Sequence, residues 1–120
     1  MPIIDACIVV AEGEAAPAGA AMTIANAVAA TLGAAPGRVW VKVQLLPEQF
    51  YAENGEEDGP CPVFLKVLHA DVKSAEHLAQ EAKSLAQAVG AALERPAELV
   101  HVEYAAAGRG RVAFGGSLLQ

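Results

Sequence analysis

Pro2 stands directly after Met1, so removal of the initiator methionine would leave this chain with a secondary amine at its start. That processing is the expected one, because the side chain following the methionine is small. An ordinary α-amino group titrates near pH ~8, and a proline amine is more basic still. To accept protons at neutral pH it must be shifted downward, by burial among apolar groups or by nearby positive charge, either of which disfavours the ammonium form. Both kinds of neighbour are available: Ile3, Ile4, Trp40 and Phe50 are apolar, and Arg38 and Lys42 are cationic. A pKa brought close to the working pH is what general-base catalysis requires. Such a base also needs a cation that can hold an anionic group and polarise an adjoining carbonyl or enol.

The elements that must position these groups follow from periodicity. Residues 3–10 form an apolar, β-branched run of strand length. After a polar turn at 11–14, residues 17–32 become alanine-rich, with Ile24, Val28 and Leu32 on one helical face. Pro17 suits a first helical turn, and Gly33 the position just past the end. Residues 38–45 alternate strictly. Val39, Val41, Val43 and Leu45 face one way, and Arg38, Trp40, Lys42 and Gln44 the other, which predicts a strand. A polar linker covers 47–60. Residues 63–69 read as a third strand, and 74–93 as a helix with Leu78, Ala82, Leu85, Val89 and Leu93 in one stripe, capped by Ser74 and stopped by Pro96. Residues 99–104 read as a last strand, and 108–116 as a glycine-punctuated hairpin or arm.

The second half repeats the first at an offset of about sixty. Pro2-Ile3-Ile4 falls on Pro62-Val63-Phe64, and Pro36 on Pro96. With one inserted residue, Ile24, Val28 and Leu32 fall on Leu85, Val89 and Leu93, while Val39-Trp40-Val41 matches Val100-His101-Val102. Pro62 is then the internal counterpart of Pro2, with an amide nitrogen that has no basicity, so one proline site per chain is expected. Each half is strand, helix, parallel strand with a right-handed crossover. The expected fold class is α+β: duplicated β-α-β units in a four-stranded mixed sheet with two helices on one face. The expected division is a first unit at 1–46, a linker at 47–61, a second unit at 62–107 and a C-terminal arm at 108–120. The bare sheet face, with Trp40 among its residues, calls for oligomerisation to cover it.

Composition narrows the partners. The formal net charge of −6 over 120 residues argues against nucleic acid or an anionic membrane. A small anionic substrate stays compatible if a few basic residues gather locally. No apolar run approaches membrane-spanning length, and the N-terminus lacks a basic leader followed by an apolar stretch. Cys7 and Cys61 match no metal or redox spacing and read as reduced thiols, so a cytoplasmic location is expected. Scattered histidines without suitable acidic spacing make no metal site. His69 and His101 read as hydrogen-bonded strand histidines.

Together, Met1-Pro2-Ile3-Ile4, Val39-Trp40-Val41-Lys42-Val43, Gly59-Pro60-Cys61-Pro62, Leu68-His69 and Phe114-Gly115-Gly116 make the whole chain resemble the tautomerase superfamily. That resemblance implies a fused pair of short units, a homotrimeric barrel whose C-terminal arm reaches a neighbouring chain, and no cofactor. It also implies Pro2 as the catalytic base of a tautomerase or isomerase moving a proton in an enol or unsaturated 2-oxo acid. The family commonly places arginines just after the first strand and in the second. Here the first turn, Ala11 to Glu14, has no cation, and the second-strand positions hold Trp40 and His101. Arg38 and Lys42, which flank Trp40, are the substitutes for holding the carboxylate, with Lys73 from the second half. Lysine offers a point charge and not a fork. Arg109 and Arg111 on the arm could approach a neighbour's pocket, and Tyr51 and Asn54 could line its mouth. The plainer reading of each is a solvated side chain, and of Trp40 a core or interface residue. The alternatives are a dehalogenase, hydratase or decarboxylase, for which Glu103 is the one water-activating candidate, or a non-catalytic trimeric binding protein.

Overall fold

The structure, a computed structural model, describes residues 1–15, 17–57 and 59–120. Its elements are β1 (Ile3–Val10), α1 (Ala20–Leu32), β2 (Trp40–Pro47), β3 (Val63–Leu68), α2 (Ala75–Ala92), β4 (Val100–Tyr104), β5 (Ala113–Phe114) and β6 (Ser117–Leu118). Single 3₁₀ turns at Glu48–Phe50 and Ala97–Leu99 lie between them.

Several boundaries differ from the periodicity, each for a backbone reason. Gly19, at φ 68°, is left-handed and cannot continue a helix, so α1 starts at Ala20. Pro17 lies ahead of it, its carbonyl accepting the Ala20 N–H at 3.2 Å. β2 starts at Trp40 and not at Arg38, because the Arg38 N–H turns back to the Ala35 carbonyl at 3.1 Å. Ser74 does cap α2, accepting the His77 N–H at 3.1 Å. That helix ends at Ala92, before Pro96 can act, because the chain turns at Glu94 with φ 56°.

The sheet order is β2-β1-β3-β4, with β1 parallel to β2, β3 parallel to β4, and β1 antiparallel to β3. Both helices cover one face. Ile4, Ala6 and Ile8 of β1 and Val63, Leu65 and Val67 of β3 are buried against Ile24 and Val28 of α1 and Leu85 and Val89 of α2. This inward pattern revises the internal alignment. A shift of sixty would pair buried Ile4 with exposed Phe64, whereas sixty-one pairs it with buried Leu65. Sixty-one also serves the helices, and it sets Glu94 on Gly33, both with positive φ. A one-residue slip would turn each strand inside out. The counterpart of Pro2 is therefore Val63, and Pro62 matches Met1.

The other face carries Ile3, Cys7, Trp40, Lys42, Phe64, Lys66, His101 and Glu103 with little cover. Trp40 is 51% exposed and Phe64 38%. The chain after β4 stays beside β3: the Ala105 N–H donates to Val67 and the Gly108 N–H to His69. Gly115 and Gly116, both left-handed, close the β5–β6 hairpin. Phe114 from that hairpin meets Trp40 of the same chain edge-on, with ring centres 4.9 Å apart. Among the described residues, no helix is long and apolar enough to cross a membrane.

Gly90 of α2 has the returning chain against it, so a Cβ there would lie 2.7 Å from the Arg95 carbonyl oxygen. Alanine would gain about 1 kcal/mol of helix propensity and lose about 1–3 kcal/mol to overlap with backbone that cannot yield. The Gly90→Ala variant is expected to be net destabilised by up to about 2 kcal/mol, read as a lower urea midpoint at unchanged slope. A midpoint equal to or above wild type would show that this approach is loose.

Candidate active site

Pro2 is buried at the start of β1, and its carbonyl accepts the Trp40 N–H at 3.1 Å. It lines an open hollow of about 630 Å³ between the end of α1 and the first turns of α2. Arg38, Lys73, His69, His77 and Glu81 share that hollow, with Leu32 and Ala34 on its α1 side. The terminal ammonium, carried by Met1 in this structure, is held below the ordinary α-amine range by burial first and by the charge of Arg38 second.

The cations singled out in the sequence divide between places. Arg38 and Lys73 lie in the hollow with Pro2. Lys42 is on the open face, its Nζ 3.0 Å from Asp5. Trp40 is also there, its ring N–H donating to the Gly37 carbonyl at 3.1 Å. Tyr51 lies toward the opposite end of the sheet, where it donates to Glu53 at 2.5 Å and packs near Phe64. Arg109 is engaged by Asp71 through Nε at 2.6 Å and Nη2 at 3.0 Å, and it also donates to the Gln120 carbonyl. Hydrogen bonding from Arg109 is the main reason the Asp71 carboxyl sits below its usual range. Arg109 and Arg111 border an adjoining depression that shares His69 and Lys73 with the first. Asn54 is exposed in the linker, whose Asp58 lies outside the described residues. Glu103 is on the open face, 3.9 Å from Lys66, and His101 lies beside Phe64 there.

A second group in the hollow was not singled out from the sequence. Glu81 is only 8% exposed. Its Oε2 lies 2.7 Å from His69 Nε2 and accepts the Tyr104 hydroxyl at 2.8 Å, while His77 Nε2 is 3.6 Å from Oε1. Burial pushes the Glu81 carboxyl up, but the hydrogen bonds from His69 and Tyr104, with the charges of His69 and His77, outweigh it and hold the group below its usual range. Tyr104 is pushed well above the ordinary phenol value by burial and by Glu81, so it remains a donor. Among the described residues, no three His, Cys, Asp or Glu side chains are gathered as a metal site. The signal for Glu81 was present: it sits three residues after Leu78 and four before Leu85, a charged residue on the apolar stripe of the helix.

The comparisons bear on the fold. The sequence matches no family model and no curated protein. Solved structures are similar over nearly its whole length. The Q0 fused 4-OT, solved as a symmetric trimer, is 19% identical, covering 97% of this chain and 94% of its own, with a TM-score of 0.75. Pt0534, inactivated by 2-oxo-3-pentynoate, is 16% identical over the same shares with a TM-score of 0.75. The macrophage migration inhibitory factor of Oncomelania hupensis is 17% identical, covering 100% of this chain and 83% of its own, with a TM-score of 0.74. The chain has the fold of tautomerase-superfamily proteins.

Glu81 also makes a prediction about stability. Because it is held below the value of an unfolded carboxyl, about 4.3, its ionised form stabilises the fold above that pH. The contribution is lost as the pH falls through the depressed folded value. Below about pH 4.3 the unfolding free energy of the wild type should decline more steeply than that of Glu81→Gln. Parallel pH–stability curves for the two proteins would contradict it.

Proposed function

We propose that this chain, after loss of Met1, is a cofactor-free tautomerase or isomerase in which the Pro2 amine moves a proton within an enol or unsaturated 2-oxo acid. The observation carrying this reading is the place of the chain's start: Pro2 lines a hollow shared with Arg38, and the Met1 amine beside it is held below the ordinary range by burial and by that guanidinium. Pro2 takes a proton from the enol system and returns it at another carbon, which asks for an amine that is largely unprotonated yet still basic. Arg38 binds the substrate carboxylate with its planar fork, and Lys73 adds a second charge. A small anionic acid suits this local pair in a chain whose net charge is −6.

We further propose a homotrimer. The exposed Trp40 and Phe64 on the bare sheet face support a face that other copies cover, and the Q0 fused 4-OT is a trimer on the same fold. Trp40, Lys42, Tyr51 and Arg109 would then take part in a substrate site only where a neighbouring copy presents them. Cys7 and Cys61, both free thiols, are consistent with a cytoplasmic protein.

Ketonisation of phenylenolpyruvate by three forms tests the reading: the processed native chain, Pro2→Ala and an N-terminally extended form, with mass spectrometry reporting on Met1. The extended form has no amine in the hollow and should lose about 10²–10⁴ in kcat/KM. Pro2→Ala keeps a primary amine and should fall between. Turnover by the extended form equal to that of the native chain would refute the proline base.

Removal of the Arg38 charge should act on binding. Arg38→Gln is expected to raise KM for the 2-oxo acid by about 10–100-fold, the size of a lost charge-assisted hydrogen bond. An unchanged KM would remove Arg38 from the site.

A further inference from the structure

We propose that His69, oriented by Glu81 and Tyr104, is the second proton-handling group of the Pro2 hollow and manages the proton on the substrate oxygen while Pro2 manages the one on carbon. The inference rests on the proline reading above and adds to it an acid–base partner. Register puts the two residues side by side. β1 and β3 pair antiparallel with Ile3 opposite Leu68, so the next step places Pro2 opposite His69. Opposed residues in such a pair lie about 4.5–5.5 Å apart at Cα. Ile4 and Val67, one pair further in, are buried against the helices, and alternation turns Pro2 and His69 to the same side.

The imidazole is held as a working base is held. Glu81 is ionised at neutral pH and can only accept, so His69 Nε2 carries the hydrogen of the 2.7 Å contact. The tautomer is thereby set, and Nδ1 is the nitrogen left for a ligand. Among the described residues, no buried side-chain nitrogen or oxygen lacks a partner, and His69 makes no other side-chain hydrogen bond. Nδ1 therefore keeps some exposure, in a side chain that is 12% exposed and lines the hollow. Tyr104 fixes the same carboxylate oxygen from β4 and stacks on the imidazole with ring centres 6.0 Å apart. A nucleophile or base oriented by a carboxylate behind it is a recurrent arrangement in proton transfer.

The internal duplication argues that this cluster does more than fill the core. At the shift of sixty-one, the positions of Pro2, His69, Glu81 and Tyr104 are held in the other half by Val63, Ile8, Ala20 and Val43. Val63, Ile8 and Ala20 are buried core residues. The fold closes that end without a buried carboxylate, so the one at the Pro2 end is not a packing requirement. The charge at that other end is Arg95, which replaces Ala34 and whose guanidinium donates to the Val9 and Cys61 carbonyls at 2.8 and 2.5 Å.

In the direction from ketone to enol, the Pro2 nitrogen takes the proton from the carbon next to the carbonyl, and the C–H electron pair becomes the new C=C bond. The carbonyl π pair takes a proton from Nδ1 of the His69 imidazolium, giving the enol hydroxyl, neutral His69 and protonated Pro2. The reverse direction, ketonisation, starts from neutral His69 and the Pro2 ammonium: Nδ1 takes the hydroxyl proton while Pro2 gives its proton to carbon, so His69 removes the proton that Pro2 acting alone would have to carry from the enol to carbon. Glu81 balances the charge of the imidazolium without itself exchanging a proton. His69 would thus be catalytic, and Glu81 and Tyr104 positioning residues.

The test uses the Met1-free chain with phenylenolpyruvate, comparing His69→Gln, Glu81→Gln and Tyr104→Phe for kcat and KM. Circular dichroism and thermal midpoints confirm folding. His69→Gln should lower kcat tenfold or more with KM within threefold. Glu81→Gln should shift the ¹⁵N signals of His69 away from the Nε2–H tautomer, lower kcat similarly and also change the pH profile of kcat, the last of which a merely structural carboxylate would not do. If Glu81→Gln fails to fold, His69→Gln and Tyr104→Phe decide, since either leaves Glu81 one partner. Folded His69→Gln with kcat within threefold of native, while the N-terminally extended form is inactive, overturns the inference and leaves the proline base standing. If native and extended forms are equally inactive, the proline reading has failed. The His69 signals with added phenylpyruvate then decide the remainder: a shift abolished by Glu81→Gln supports His69 as the oxygen-facing group, and no shift overturns it.

Discussion

The antiparallel register of β1 on β3 is the constraint from which the site descends. Ile3 opposite Leu68 fixes which residues of both central strands point at the helices. It also sets the chain's second residue beside the first residue beyond β3. A slip of one would send Ile4, Ala6 and Ile8 to the bare face and bring Asp5 and Cys7 into the core. Fully burying each aliphatic side chain is worth about 1.5–3 kcal/mol, so that alternative is excluded by several such terms at once. The hollow is the place where this register runs out at one end of the sheet.

A buried carboxylate in so small a fold needs compensation. Leaving Glu81 unpaired would cost several kcal/mol, and its three contacts come from separate parts of the chain: His69 after β3, Tyr104 on β4, and His77 one turn earlier on α2. Its order therefore depends on the whole second unit being folded. The cluster also gives the hollow a polarity. Arg38 comes from the approach to β2, while the acidic and imidazole groups come from the second unit, so the hollow carries a guanidinium at one side and Glu81 with its histidines at the other.

The bare sheet face has a different character. Its charges are matched within the chain, Lys42 with Asp5 and Lys66 with Glu103, and its aromatic residues are spread along it. Trp40 is met by Phe114 of the arm, and Phe64 by Tyr51 and His101. The arm itself is tied down by Arg109 on Asp71. Lys42 and Arg109 thus have partners already, whereas Arg38 and Lys73 face the hollow.

Local periodicity alone determined that this chain is two strand–helix–strand units with a glycine hairpin at the end, because alternation and the 3.6-residue stripe are properties of neighbouring residues. It also marked Pro2, Arg38 and Lys73, which share one hollow. It could not choose between shifts of sixty and sixty-one, since Pro2 on Pro62 and Pro36 on Pro96 are attractive as letters while the facing of Ile4 and Leu65 exists only once the strands pair. Nor could it separate Lys42 from Arg38, two cations on one predicted face, because β2 begins at Trp40 and leaves Arg38 in the turn before it. The grouping of His69, Glu81 and Tyr104 was decided by tertiary structure, because a long-range hydrogen bond depends on how strands and helices assemble and not on spacing along the chain.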